Sequence, residues 1–279
     1  MEVVQLTDPA EFLARAGPLL LADEARHNLI LGLAGTLRDQ PGVYPEHELW
    51  VVEEEGKVVG AALRTPPHRL VLAQPTAPAA VEALAVALEG LPGVVGAVPE
   101  AMEFGRVWND RTGATLEART QLIYRLERVV PPRPTTGASR PAEPRDRELL
   151  LDWLGDFAIE ALREQEPDRA RNEQIVDQRL GSSSETGFVL WEDEGQPVSL
   201  AGFGGSTPNG SRIGPVYTPP ELRQRGYASA LVADVSQARL EAGKRFCFLY
   251  TDRMNPTSNK IYVDIGYERV CDSIEIDFI

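Results

Sequence analysis

A run of prolines near the middle of the chain limits its architecture more than any other feature. Residues 131–144 read Pro-Pro-Arg-Pro-Thr-Thr-Gly-Ala-Ser-Arg-Pro-Ala-Glu-Pro, five prolines in fourteen positions. Each proline lacks an amide donor and restricts the residue before it, so such a run does not sit inside a helix or a central strand. It reads as an exposed linker, 131–144, between two units of domain size, 1–130 and 145–279. With 279 residues, 43% of them apolar and 25% charged, the chain has material for two cores.

The halves look like weak copies of one pattern. Leu49-Trp-Val-Val-Glu-Glu-Glu-Gly56 followed by Lys57-Val-Val-Gly-Ala-Ala-Leu63 is an apolar strand, an acidic turn closed by glycine and a second strand. Phe188-Val-Leu-Trp-Glu-Asp-Glu-Gly195 and the run to Phe203 repeat it. Further on, Phe104 to Gly113 with the alternating residues up to Leu126 resembles Ser258 to Gly266 with the residues up to Phe278.

The formal net charge of −14 has the wrong sign for a protein that lives on phosphate backbones or anionic membranes, so neither nucleic acid nor a membrane is expected as a partner. The only lysines are Lys57, Lys244 and Lys260, so any anion site must be built from arginines and backbone amides. The N-terminal Met-Glu-Val-Val-Gln-Leu-Thr-Asp has no basic region of a secretory signal, and a cytoplasmic protein is expected. The most apolar stretch, Ala77 to Val98, is broken by Glu82, Glu89, Gly90 and Pro92 and is unsuited to spanning a bilayer. Two cysteines, Cys247 and Cys271, supply neither a disulfide framework nor a cysteine metal site and read as reduced thiols in or near a core. No metal is expected. His27, His47 and His68 read as surface or loop residues.

The second half is mixed α/β. Leu150, Leu151, Trp153, Leu154, Phe157 and Ala161 have helical spacing over about Glu148 to Glu164, and a second helix is predicted from Asp168 to Leu180. Strands follow near Phe188 to Glu192, Val198 to Gly204 and Arg212 to Tyr217. A helix from about Tyr227 to Ala242 ends at Gly243, and the strand Phe246 to Thr251 comes next. A short helix after Pro256 and a final alternating strand, Ile274 to Phe278, complete the half.

Between a strand and the long helix lies Tyr217-Thr-Pro-Pro-Glu-Leu-Arg223-Gln224-Arg225-Gly226-Tyr227-Ala228-Ser229. Glycine and small residues at the mouth of a helix leave its first amides aimed outward, where a diphosphate can bind with the helix dipole behind it. Arg223 and Arg225 add fixed positive charge. The turn has no Gly-Lys-Ser/Thr of a P-loop, and Gly202, Gly204 and Gly205 fall inside a strand pattern, so this is not a dinucleotide fingerprint. Taken alone, the turn is equally compatible with an ordinary helix start.

A second motif changes that. Arg223-x-x-Gly226-x-Ala228, together with Asn255-Pro-Thr-Ser258-Asn-Lys-Ile-Tyr262-x-x-x-Gly266-Tyr267, resembles the acyl-CoA signature and the later motif of the GCN5-related N-acetyltransferase (GNAT) family, in the family's element order. The resemblance covers about residues 185–279. It implies two tandem GNAT domains of α/β class, each a mixed, mostly antiparallel sheet flanked by helices, the N-terminal one degenerate. It implies acetyl-CoA as cosubstrate. Val216, Tyr217 and Thr218 would pair through their backbone with the pantetheine arm. Gln224, Arg225, Gly226, Tyr227, Ala228 and Ser229 would cradle the pyrophosphate with Arg223, and Asn255 and Ser258 would complete the cofactor site. Tyr262 would stand near the thioester sulfur as the catalytic acid. Asn255 also reads as a helix N-cap with Pro256 at N1, and Tyr262 as a half-buried helix tyrosine.

In the first half the corresponding link, Leu72-Ala-Gln-Pro-Thr-Ala-Pro-Ala-Ala, has two prolines, no glycine and no arginine, and Tyr262 aligns with Asn109. The expected reaction is direct transfer of an acetyl group to a primary amine of a small molecule or peptide. The strand Arg212 to Tyr217 carries no acid to act as base, leaving Asp252 or a water relay. The acidic excess of the second half points to cationic acceptors. A non-catalytic acyl-CoA sensor and a structural interaction protein are the alternatives; the retained Tyr262 speaks against the first and the intact turn against the second.

Overall fold

The computed structural model describes residues 1–163, 165–180 and 184–279. By their internal contacts these fall into two compact units, 1–123 with 269–279, and 124–268. Glu164, the last residue of the helix expected from the sequence, lies outside the described residues.

The first unit runs β1 (Glu2–Leu6), α1 (Pro9–Leu21), α2 (Asn28–Asp39), β2 (Glu48–Glu54), β3 (Lys57–Arg64), β4 (Leu70–Leu72), α3 (Ala79–Ala87), β5 (Gly93–Ala97), α4 (Val98–Thr112) and the start of β6 (Leu116–Leu126). The second takes the end of β6, then β7 (Ala138–Pro141), α5 (Arg147–Ala161), α6 (Arg169–Leu180), β8 (Gly187–Asp193), β9 (Gln196–Gly204), β10 (Gly210–Tyr217), α7 (Tyr227–Glu241), β11 (Phe246–Asp252) and α8 (Pro256–Asp264). The last strand, β12 (Glu268–Phe278), follows α8 but pairs antiparallel with β5, from Ser273 opposite Ala97 to Asp277 opposite Gly93. Read from the sequence with the second half, this strand is counted by its contacts with the first.

In the first unit, β1, β2, β3 and β4 are antiparallel neighbours and β4 and β5 are parallel. Alternation sends Leu49, Val51, Ala61 and Leu63 to one core with α1 and α2, and Trp50, Val52 and Ala62 to another with α3 and α4. In the second unit β7, β8, β9 and β10 are antiparallel and β10 and β11 parallel. Leu190, Leu200 and Tyr217 pack on Leu150, Trp153 and Val176 of α5 and α6, while α7 lies against the opposite side, its Ser236 carbonyl accepting from Cys247 Sγ at 3.6 Å.

The predicted hairpins are both present and match in detail. Glu55 and Gly56 have φ of 49° and 75°, as do Glu194 and Gly195, which is the paired left-handed turn that two-residue hairpins favour. The proline-rich stretch carries a strand: β7 pairs with β8 from Ala138 opposite Glu192 to Pro141 opposite Val189, and the Trp191 indole donates to Thr136 O at 2.9 Å. Prolines are tolerated there because β7 is an edge strand with one neighbour.

Candidate functional site

The centre of the second unit is a fork. β10 and β11 pair only from Gly210 opposite Phe246 to Arg212 opposite Phe248, although the strands continue to Tyr217 and Asp252. On its other edge β10 keeps its partner but inserts one extra residue: Ile213 faces Phe203 and Val216 faces Ala201, with Gly214 and Pro215 in the resulting bulge. A bulge bends its strand and raises its twist, which turns β10 away from β11. Of the residues expected to meet a pantetheine arm, Val216 and Tyr217 lie on this diverging limb and Thr218 follows it.

Side chains fix the limb from behind. Tyr217 packs on Trp153 at 6.1 Å and donates to Asp156 Oδ2 at 3.2 Å; burial and the neighbouring carboxylate push its hydroxyl up to about 12. Thr218 Oγ1 is 2.8 Å from Ser199 Oγ. Arg223 donates to Thr218 O at 2.8 Å and to Glu160 at 2.5 Å, so its guanidinium clamps the end of the strand to α5.

The turn beyond the limb has the form expected of an anion cradle. Gln224 and Gly226 take φ of 64° and 87°, and α7 starts at Tyr227 with no side chain capping it. No backbone N–H from Gln224 to Ser229 has an acceptor among the described residues. Arg225 is exposed, its carbonyl accepting from Thr135 Oγ1 at 2.8 Å, and Thr135 Cβ lies 3.5 Å from where a Cβ on Gly226 would stand. Tyr227 offers only its amide, because its hydroxyl donates to Asp193 at 2.6 Å. Alternating left-handed and right-handed residues with outward amides form the concavity that binds phosphate groups.

The later motif lies on α8. Asn255 is the N-cap, its Oδ1 accepting from Ser258 N at 3.0 Å, with Pro256 in the first turn. Tyr262 is 7% exposed, between Tyr267 at 5.9 Å and Tyr124 at 6.5 Å. Its hydroxyl has no hydrogen-bond partner among the described residues, and burial pushes it up to about 12, so it is protonated at neutral pH. Asp252 accepts from Met254 N at 2.7 Å and stands 3.4 Å from Arg163, which gives it a place in the turn before α8. Cys247 is buried with its thiol pushed up to about 12 by desolvation, consistent with packing.

The first unit spends its corresponding groups internally. Ala73 N donates to Ala61 O at 3.0 Å, Thr76 N to Val59 O at 2.9 Å, and Gln74 N to His27 Nε2 at 3.0 Å. Asn109, the counterpart of Tyr262, donates to Ala114 O at 2.6 Å. His27 lies in the turn between α1 and α2, as a loop residue, but not at the surface: it is 5% exposed, with Nδ1 2.9 Å from Leu20 O. His47, half-buried, and His68, exposed, both lie in loops, as expected.

A family model described as FR47-like protein matches residues 194–275. Residues 194–275 are thus similar to a GNAT-type domain. Solved structures extend the fold to the whole length: a GCN5-related N-acetyltransferase from Sphaerobacter thermophilus has 17% identity over 99% of this chain and 95% of that one, with a TM-score of 0.63. A GNAT-family acetyltransferase from Colwellia psychrerythraea has 12% identity over 100% of both chains at 0.59. A Drosophila protein has 13% identity over 99% and 98% at 0.69. No curated protein matches the sequence. At these identities the likeness establishes the GNAT fold. Among the described residues, no helix is long and apolar enough to cross a membrane and no group of three or more His, Cys, Asp or Glu could hold a metal.

Proposed function

We propose that the second unit is an acetyl-CoA-dependent N-acetyltransferase acting on a primary amine. The observation that carries this reading is the run of six amides from Gln224 to Ser229 with no acceptor among the described residues, at a helix start reached directly from the diverging strand. These groups fit a pyrophosphate: the donors are free, Gly226 brings no side chain into the concavity, and the α7 dipole favours negative charge. The unpaired edge of β10 beyond Arg212 would receive the pantetheine amides as a further strand would. Asn255 and Ser258 would border the arm from α8.

The acetyl group would move in one step sequence without an enzyme ester. The neutral amine forms the N–C bond to the thioester carbonyl, and a backbone amide of the fork holds the oxyanion. Collapse breaks the C–S bond, and Tyr262 gives its hydroxyl proton to the departing thiolate. The proton lost by the amine leaves through water, since Asp252 is engaged in its own turn. The first unit would act as a scaffold whose own amides are occupied.

Acetyl-CoA-dependent thiol release across a panel of amines tests the reading, with the acetylated product identified by mass. Release that requires an amine supports transfer. Binding without release would leave a sensor, and absence of binding would refute the cofactor site.

A further inference from the structure

Two arginines stand at the root of the fork on the α5–α6 side of the sheet. Arg179, in the last turn of α6, lays its guanidinium 5.1 Å from the Phe188 ring and reaches within 3.4 Å of Gly214 O in the β10 bulge. Arg212, the last residue of β10 paired with β11, projects from the same side as its neighbour Gly204 and lies 5.2 Å over the Tyr250 ring. Neither has a carboxylate within ion-pair distance among the described residues. Other arginines of this unit do: Arg140 with Asp146, Arg147 with Asp177 and Arg223 with Glu160.

Desolvation, with the like charge of Arg212 adding to it, pulls the Arg179 guanidinium down to about 10, still cationic at neutral pH. Holding a half-buried cation beside a second, exposed one is unfavourable, and among the described residues only the Phe188 ring and the Gly214 carbonyl offset it. Glycines clear the ground between them. A Cβ on Gly202 would stand 2.9 Å from Arg179 Nη1, one on Gly204 3.7 Å from Nη2, and one on Gly205 3.7 Å from Arg212 Cδ. The run Gly202-Phe-Gly204-Gly205 thus makes a floor free of side chains on this face, beneath two positive charges with no carboxylate partner among the described residues.

We propose that Arg179 and Arg212 bind an anionic group, carboxylate or phosphate, carried by the acceptor amine. This rests on the fork as the site of acyl transfer and defines the acceptor as an amino acid, a peptide or an amino sugar phosphate in chemistry. It replaces the cationic acceptor expected from the overall acidity of the half, because the charge at the root of the fork has the opposite sign. Arginine forks recognise both anions in bidentate fashion, and the two arms of the test separate them.

The experiment uses the full chain in two measurements. Thiol release is compared between amino acids and their carboxamides and between amino sugar phosphates and the unphosphorylated sugars, in wild type, Arg212→Gln and Arg179→Lys. The expected result is a preference of roughly 10²-fold or more in kcat/KM for one anionic class, lost in Arg212→Gln through KM while kcat stays within a few-fold. In the second measurement, acetate and inorganic phosphate are titrated at constant ionic strength, without acetyl-CoA, and thermal stability is read. A saturable rise absent in Arg212→Gln supports the anion site even if no amine turns over, in which case acyl transfer fails and the anion site stands. Equal use of anionic and neutral amines overturns the proposal, as does failure of both anions to stabilise the wild type when no amine is accepted.

Discussion

Replacing Tyr262 by phenylalanine should separate chemistry from stability. The Tyr262 hydroxyl has no hydrogen-bond partner among the described residues, and the ring keeps its contacts with Tyr124 and Tyr267 in the variant. No bond is lost on folding, so the change in stability should be under about 0.5 kcal/mol. Tyr267 provides the opposite case five residues away. It is buried, and its hydroxyl is 2.8 Å from Ser236 Oγ, so Tyr267→Phe removes one partner of a buried pair and should cost about 1–3 kcal/mol. If Tyr262 protonates the thiolate, Tyr262→Phe lowers kcat roughly 10²-fold or more with acetyl-CoA affinity within a few-fold. Tyr267→Phe should leave kcat within a few-fold while lowering the unfolding midpoint. Because burial pushes the Tyr262 hydroxyl up to about 12, loss of the acid form should leave no alkaline limb in kcat below about that pH. The assay is thiol release at saturating acetyl-CoA beside denaturant unfolding of both variants. Near-wild-type kcat in Tyr262→Phe would remove this hydroxyl from the mechanism.

Asn109→Ala, at the counterpart position in the first unit, should leave turnover unchanged, and a tenfold loss in the same assay would show that the first unit takes part. His27 should make stability pH-dependent. Its neutral ring serves Leu20 O through Nδ1–H and Gln74 N through Nε2, and burial, with Arg26 nearby, lowers its basicity against the opposing pull of Leu20 O, Asp23 and Glu100. Above about pH 6.5 folded and unfolded chains are both neutral there, whereas below it the unfolded chain takes up a proton that the folded one resists. Thermal stability should therefore fall as pH drops below about 6.5, and less steeply in His27→Leu; parallel slopes in the two proteins would contradict this. Arg223→Gln should weaken acetyl-CoA binding about tenfold by freeing Thr218 from α5, measured by calorimetry, and an unchanged affinity would make the clamp dispensable.

Local signals carried much of this fold. Acidic turns closed by Gly56 and Gly195 marked both hairpins because only a few residues take paired left-handed conformations. Asn255 with Pro256 marked the start of α8, and Gly226 marked the amide turn. What escaped depends on distant pairing. The alternation of residues 274–278 predicts a strand but carries nothing about its partner, and β12 pairs with β5, about 180 residues earlier in the chain. A proline-rich run excludes a central strand and is silent on an edge one, so β7 was unmarked. His27 sits between two helices with no periodic cue to its burial, since its partners Leu20 and Gln74 come from separate segments. Arg179 looks like an ordinary cation at a helix C-terminus, and its lack of an acidic partner among the described residues is visible only once α6 lies over the bulge.

Calorimetric titration of acetyl-CoA into the full chain and into Gly226→Glu tests the central claim most directly. A side chain at φ 87° is strained by about 1 kcal/mol, and the nearest atom to its Cβ would be Thr135 Cβ at 3.5 Å, so the variant should fold. Its carboxylate would enter the concavity of free amides meant for a pyrophosphate. The wild type should bind one acetyl-CoA per chain, and the folded variant should bind at least 10²-fold more weakly. Equal affinities in the two proteins, or no binding by the wild type, would contradict the assignment of residues 224–229 as the cofactor cradle.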